Sequence, residues 1–93
     1  MDENSRPARI LAALSAAFPG AACELVDESH LHAGHAGARE GKGHFRLRIT
    51  SDAFAGLAPL ARHRRVFSCL DALMESDIHA LSIDAKTPTE RQH

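Results

Sequence analysis

The sequence predicts an α+β two-layer sandwich in which two helices cover one face of a three-stranded mixed sheet. The first observation is the order of hydrophobic patterns along the 93 residues, which alternate between helical and strand spacing as α-β-β-α-β. The second is connectivity: a loop joins the first two strands, which predicts an antiparallel pair, whereas the third strand returns after a helix, as a parallel crossover does. At this length we expect one domain over residues 6–90, with tails at 1–5 and 91–93.

The first helix has a clear start and end. Ser5 supplies a capping hydroxyl before Pro7, whose missing N–H costs nothing in a first helical turn. Pro19 and Gly20 end the helix. Its apolar face is spaced by three or four residues and consists of Ile10, Leu11, Leu14 and Phe18.

Three stretches predict strands, at residues 23–27, 44–50 and 79–85. The second has the strictest alternation, which places its two sets of side chains on opposite faces of the sheet. The apolar set is Phe45, Leu47 and Ile49, and the polar set is His44, Arg46 and Arg48. The third strand is predicted to carry His79, Leu81 and Ile83 on one face.

A second helix is predicted from Pro59 to about residue 75. Its apolar stripe consists of Leu60, Phe67, Leu70 and Met74, widened by Val66 and Leu73. His63 falls on this stripe, which is typical of a packing residue. Thr87 and Glu90 have the spacing of a capping box, which predicts at most one helical turn near the end of the chain.

The segment between the first two strands is the strongest functional candidate. Residues 27–44 contain four of the seven histidines and four of the six glycines. A glycine-rich stretch cannot satisfy its own backbone groups inside a core, so we expect it at the surface. Histidine binds borderline metals and titrates near neutral pH, which predicts a metal or pH-sensitive site; the alternative is an ordinary solvated loop.

The net charge of −1 conceals a basic segment. Residues 44–65 sum to +4, and the remainder of the chain to −5. The basic residues are Arg46, Arg48, Arg62, Arg64 and Arg65. They predict contact with an anionic partner, either nucleic acid or an acidic protein surface, or else a solvated strand face and helix end.

Other features exclude several classes of protein. No apolar run approaches the roughly 20 residues of a membrane helix, and the N-terminus lacks an apolar signal core, so we expect a cytoplasmic protein without a membrane partner. Cys23 and Cys69 have no C-x-x-C spacing and are expected to be packing residues. No nucleophile–base pair or phosphate loop is recognisable, so we expect no enzymatic activity.

Several blocks in the same order and spacing resemble the BolA family over residues 6–90. The blocks are Asp27-Glu28-Ser29-His30 with His32, Gly43-His44-Phe45-Arg46, Ser51-Asp52-Ala53-Phe54-Ala55-Gly56-Leu57, Arg62-His63-Arg64-Arg65-Val66 and His79-Ala80-Leu81. The resemblance implies a fold similar to class II KH domains, which agrees with the predicted element order. The Gly-x-x-Gly loop that joins two helices in true KH domains has no counterpart here, and Arg91 stands where the family usually has tryptophan.

The resemblance also implies a partner and a cofactor. The partner is a monothiol glutaredoxin, and the heterodimer shares a [2Fe-2S] cluster that is also held by glutathione, in cluster assembly, trafficking or iron-status signalling. The family's C-terminal ligand corresponds to His79, and the loop ligand to His32, with His35 as the alternative. The isolated protein is expected to carry no cofactor and to be a monomer or weak homodimer.

The remaining candidate residues receive supporting roles under this reading. His63 and His44 are placed in the supporting shell of the metal site. The basic residues are assigned to partner or nucleic-acid contact; they are Arg46, Arg48, Arg62, Arg64 and Arg65. The alternative function is a DNA-binding transcriptional regulator that uses these arginines as the basic face of the KH-like fold.

Overall fold

The computed structural model describes residues 5–28 and 43–92. The elements in order are α1 Arg6–Ala17, β1 Ala22–Asp27, β2 Gly43–Thr50, a 3₁₀ turn Asp52–Phe54, α2 Pro59–Cys69, α3 Asp71–Ser76, β3 Ile78–Lys86 and α4 Pro88–Arg91. The predicted order of helices and strands is confirmed. None of these helices is long and apolar enough to cross a membrane.

The three strands form one mixed sheet in the order β1-β2-β3. β1 pairs with β2 antiparallel and β3 pairs with β2 parallel, as connectivity predicted. The start of β2, the start of β3 and the end of β1 therefore meet at one end of the sheet, which we call the histidine end. The helices cover the face of the sheet that carries its apolar side chains. The buried core between the two layers consists of Ile10, Leu14, Phe18, Phe45, Leu47, Ile49, Phe54, Val66, Leu70 and Ile78.

The ends of α1 follow local chemistry. The Ser5 hydroxyl accepts a hydrogen bond from the backbone N–H of Ala8 at 3.2 Å, which satisfies one of the orphan donors of the first turn. At the other end Phe18 caps the helix, and Gly20 has a positive φ of 82° that favours glycine. The predicted limits of the helix are confirmed.

The second predicted helix is divided in two at Leu70. The backbone of this residue has φ −104° and ψ 9°, away from helical values, and α2 ends before it while α3 begins after it. The Leu70 side chain is fully buried. The apolar periodicity continues through the break, which is why the sequence pattern predicted one uninterrupted helix.

The buried face of α2 also differs from the predicted stripe. Arg62 and Val66 are the buried residues of this helix, whereas Leu60 is 60% exposed and Phe67 is 36% exposed. The helix is rotated so that an arginine occupies the edge of the core. An apolar stripe predicts the buried face only where no polar side chain finds partners inside.

Arg62 finds those partners in three different segments. Its Nε donates to the carbonyl of Leu57 at 2.9 Å, and its Nη1 donates to the carbonyl of Ala85 at 3.1 Å. The two Nη atoms also form a bidentate pair with the Glu90 carboxylate, at 2.5 and 3.0 Å. The guanidinium thereby ties α2 to the end of β3 and to α4.

Arg91 is the last residue of α4 and binds the sheet through its side chain. Its guanidinium donates to the Thr50 hydroxyl at 2.9 Å and the Ile49 carbonyl at 3.1 Å, and it pairs with Asp84 at 2.7 Å. These contacts hold α4 over the open face of the sheet, the face opposite the helical layer. An arginine can therefore do by hydrogen bonding what a large apolar residue would do by packing.

Glu90 gives a measurable pH dependence of stability. The hydrogen bond from Arg62, followed by that from the Thr87 backbone N–H, lowers the pKa of Glu90 from 4.5 to about 2. A lowered folded-state pKa contributes stability that is complete above pH 4.5 and is lost as pH falls toward 2. We expect the stability difference between wild type and Glu90→Gln to shrink across that window, as measured by urea unfolding at several pH values. A difference that is constant from pH 7 to pH 2 would contradict the pairing.

Candidate metal centre

A β-bulge at the start of β3 positions His79. Gly43 pairs with Ile78, but the next residue of β2, His44, pairs with Ala80, so His79 is an extra residue without a cross-strand counterpart. The bulge reverses the alternation of the strand: Ile78 is 1% exposed in the core, while His79 and Ala80 are both exposed. The prediction that His79 shares a face with Leu81 and Ile83 was therefore wrong, because Leu81 and Ile83 pack against the core.

The bulge brings the rings of two histidines together. The ring centroids of His44 and His79 are 4.9 Å apart, and the ring planes are inclined by 51°. His44 is on the predicted outer face of β2, yet it is only 8% exposed. His79 remains exposed to solvent. One buried and one open imidazole thus meet at the histidine end of the sheet.

The chain on both sides of residues 29–42 is attached to this same end. The backbone N–H of Glu28 donates to the carbonyl of His44 at 2.8 Å, and the N–H of Gly43 donates to the carbonyl of Asp77 at 2.8 Å. The predicted loop ligands, His32 and His35, lie outside the described residues. The residues that flank their segment, Glu28 and Gly43, lie at the same end of the sheet as His79, which is what a second ligand from that segment requires.

Asp77 fixes the position of the strand start two residues before His79. Its carboxylate accepts hydrogen bonds from Arg6 at 3.3 Å, from Ser76 at 2.8 Å and from Arg9. Burial acts to raise the pKa of Asp77, but the hydrogen bonds from Ser76, Arg9 and Arg6 outweigh it, and the pKa lies below its usual value. The ionised carboxylate joins the start of α1 to the histidine end.

We expect Asp77→Asn to lower the free energy of unfolding by about 2 kcal/mol, since the variant weakens charge-assisted hydrogen bonds at a largely buried position. Urea unfolding would measure the loss. Asp52→Asn is the matched control because Asp52 is exposed and forms no ion pair among the residues that the structure describes. Equal free energies of unfolding for the two variants would show that the charge of the Asp77 carboxylate does not stabilise the fold.

His63 is not brought to this site. It lines a cavity of about 460 Å³ at the other end of β3, together with Pro59, Arg62, Ile83, Asp84, Ala85, Lys86 and Glu90. Ile83 is already about 13 Å along the strand from His79 at the usual rise per residue. The supporting role expected of His63 does not fit this placement, because α2 begins beside the end of β3 rather than beside its start.

The five arginines of the basic segment do not form one surface. Arg46 and Arg48 are on the open face of the sheet, where they pair with Glu28 at 3.1 Å and Glu24 at 3.8 Å. Arg62 is buried, so its predicted role in partner or nucleic-acid contact is replaced by a structural one. Arg64 and Arg65 are exposed on α2, in the other layer. Strand alternation and helix rotation separate residues that are close in sequence.

The two cysteines are packing residues. Both are half-buried against the core, and burial raises the pKa of each thiol. The Cys69 thiol donates to the carbonyl of Val66 at 3.2 Å. Within residues 5–28 and 43–92 no group of three or more metal-binding side chains converges, so His44 and His79 stand there as a pair.

Sequence reasoning missed the pairing of His44 with His79, although a signal was present. Ile78 and Leu81 are both apolar but three residues apart, whereas a regular strand buries residues two apart. Such a break in period two indicates a bulge between them. The contact between the two rings follows from it.

Comparisons with known proteins agree on one family. The sequence matches the family model described as BolA-like protein over residues 14–90. It is 44% identical over 91 residues to SufE-like protein 1 of Arabidopsis thaliana, covering 92% of this chain and 24% of that protein. It is 41% identical over 83 residues to BolA-like protein 1 of Mus musculus, covering 89% of this chain and 58% of that protein. The chain thus spans a quarter to somewhat over half of the length of these two relatives.

A solved structure supports the same assignment. The BolA domain of SufE1 from Arabidopsis thaliana superposes with a TM-score of 0.81 and 44% sequence identity, over 94% of this chain and 96% of that one. Nearly the whole length of both chains is included. The similarity therefore extends to the complete domain, including the strands that hold His44 and His79.

Proposed function

This chain belongs to the BolA family, and on that premise we propose that it is a non-enzymatic adaptor for iron–sulfur clusters. It binds a monothiol glutaredoxin and shares a [2Fe-2S] cluster with that protein and glutathione. In this role it serves cluster assembly, cluster trafficking or signalling of iron status.

The observation that carries the proposal is the position of His79. Its imidazole is exposed at a bulge, at the end of the sheet to which both stems of residues 29–42 are attached. A ligand to a cluster held jointly with a second protein must be accessible to that protein. His79 meets this requirement, and a second imidazole from His32, or alternatively His35, would start from the same end of the sheet.

The donor set suits an iron–sulfur cluster. Replacing thiolates by neutral imidazoles on one iron removes negative charge and raises the reduction potential, as in Rieske centres. Imidazole must be deprotonated to bind a metal, so such a cluster is released more readily as pH falls. Both properties suit transfer and sensing. The residues of this chain act by holding the imidazole at a defined place, through the bulge and the anchored Asp77.

The test is reconstitution of the full chain with a monothiol glutaredoxin, glutathione, iron and sulfide. We expect a heterodimer whose visible absorption and circular dichroism differ from those of the cluster-bound glutaredoxin homodimer. His32→Ala and His35→Ala, examined in parallel, assess the two loop positions. Recovery of the homodimer spectrum alone, with this protein unbound, would reject the proposal.

DNA binding is the competing outcome of the same experiment. A regulator that depends on phosphate contacts would lose about 10³-fold or more of its affinity between 50 and 200 mM salt, with six or more contacts. The separation of the arginines between the two layers argues against it, because no single face presents all five. Steeply salt-dependent binding of duplex DNA without a mixed cluster would favour that function instead.

A further inference from the structure

We propose that the protein associates with a second copy of itself through the free edge of β1, so that two three-stranded sheets become one six-stranded sheet. In the sheet order β1-β2-β3, β1 has β2 on one side and no strand of residues 5–28 and 43–92 on the other. An edge strand presents a row of unpaired backbone groups that another chain can bind. The inference concerns the isolated protein and stands independently of the proposed function.

The hydrogen bonds beside β1 show which of its backbone groups point outward. The N–H of Glu28, just beyond the strand, donates to the carbonyl of His44 on β2. Along an antiparallel strand, successive residues direct their backbone groups to opposite sides. The even-numbered residues of β1 therefore bond to β2, while Cys23 and Leu25 direct their N–H and C=O groups away from the sheet. These outward groups are the ones with which a further strand pairs.

The other edge of the sheet, along β3, is protected in ways that β1 is not. The carbonyl of Lys86 is bound by the N–H of Ser51, so that of Ala85 points outward, where Arg62 donates to it at 3.1 Å. The bulge at His79 interrupts the start of the same strand. Bulges and covering side chains hinder pairing with other chains. The six residues of β1 contain no bulge, proline or lysine, so β1 is the more available edge.

Charge favours a second copy of this chain in one register. Antiparallel pairing centred on Leu25 of both copies places Glu24 opposite Val26 of the second copy, in a non-hydrogen-bonded pair whose side chains lie close together. The next register in one direction opposes Glu24 to Glu24, and the next in the other direction opposes Glu24 to Glu28. Like charges directly opposite each other are destabilising. The register centred on Leu25 avoids both contacts.

The same register covers apolar surface on both faces of the sheet. Val26 is 50% exposed on the open face, and Leu25 is half-buried on the helical side. The methylene groups of Glu24 from the second copy cover Val26, and the two Leu25 side chains meet on the helical side. A strand pair of six residues is smaller than the standard interface of about 1,600 Å². We therefore expect a weak dimer whose population depends on concentration.

The symmetry of this dimer leaves both histidine ends accessible. β1 ends at Asp27, at the histidine end of the sheet. Antiparallel pairing of two copies of β1 places the ends of the two strands on opposite sides. The two histidine ends therefore lie at opposite ends of the six-stranded sheet. Self-association and the proposed binding of glutaredoxin use different surfaces, so either can fail without the other.

Amide hydrogen exchange of the full-length wild-type protein, followed by ¹H–¹⁵N NMR from micromolar to millimolar concentration, tests the interface directly. We expect exchange at Cys23 and Leu25 to slow as concentration rises, because their N–H groups gain acceptors from the second copy. Leu81 and Ile83, whose N–H groups point outward from β3, are the internal control and should keep constant rates. Protection of Leu81 and Ile83 in place of Cys23 and Leu25 would overturn the inference, as would a monomeric mass by sedimentation at every concentration.

Charge variants at position 26 test the register. We expect Val26→Glu to raise the dissociation constant of the dimer at least about threefold, because the introduced carboxylate faces Glu24 of the second copy twice in the symmetric pair. Val26→Lys is the matched variant and should not weaken the dimer, since it faces Glu24 with an ammonium group. The double variant Glu24→Lys/Val26→Glu should return the dissociation constant toward that of wild type. Equal dissociation constants for Val26→Glu and Val26→Lys, measured by analytical ultracentrifugation, would overturn the proposed pairing.

Discussion

Replacing His79 with alanine is expected to strongly reduce formation of the mixed cluster with glutaredoxin while leaving the domain folded. The side chain is exposed at a bulge, so its removal creates no cavity in the core. Loss of this ligand should reduce formation of the mixed species at least tenfold, the lower end of the roughly 10–100-fold effect of losing even an outer-shell partner. Visible circular dichroism of the reconstituted mixture measures the loss, and far-ultraviolet circular dichroism verifies the fold.

His63→Ala is the matched control for this experiment. It removes the same side chain from a half-buried position at the other end of β3, where it lines a cavity with Ile83 and Glu90. We expect the control to form the mixed cluster as wild type does. If both variants lose the cluster equally, the effect is not specific to the histidine end. If His79→Ala retains the wild-type spectrum, the imidazole is not a ligand.

The second large effect is expected from Arg62→Met, which retains much of the side-chain volume but removes every donor. The variant leaves the carbonyls of Leu57 and Ala85 without their hydrogen-bond donor and leaves the Glu90 carboxylate without its bidentate partner. Leaving buried polar groups unsatisfied is more costly than the net value of the bonds. We expect the equilibrium constant for unfolding to rise at least tenfold, as measured by urea denaturation.

Arg64→Met provides the comparison on the same helix. Arg64 is exposed, so its replacement is expected to change stability little. The double variant Arg62→Met/Glu90→Gln should be destabilised by less than the sum of the single variants, because the two side chains interact directly. Additive effects would show that the pair is not coupled, and equal stabilities of Arg62→Met and Arg64→Met would contradict the structural role of Arg62.

The open face of the sheet shows why charge counts along a sequence mislead. Residues 44–65 sum to +4, yet the structure pairs Arg46 and Arg48 with carboxylates from β1 and its end. Those carboxylates come from a strand that is distant in sequence and adjacent in space. A nucleic-acid surface needs arginines that share a face, and the fold distributes these among the open face, the core and the helical layer.

The short-range features of the fold could be predicted because their causes are local. The capping hydroxyl of Ser5, the box formed by Thr87 and Glu90, and the alternation of Phe45, Leu47 and Ile49 each depend on residues a few positions apart. The sheet topology followed as well, because a loop connection and a helical crossover allow few arrangements. The family resemblance rested on such local blocks.

What the sequence by itself determined was the order of elements and the topology of the sheet. Only the tertiary structure decided which faces those elements present. It buried Arg62 in place of Leu60, because partners from β3 and α4 satisfy the guanidinium. It also placed His79 beside His44, because the register between β2 and β3 leaves His79 as a bulged residue without a partner on β2. Both outcomes depend on hydrogen bonds between segments far apart in the chain, and local patterns carry no information about where those segments meet.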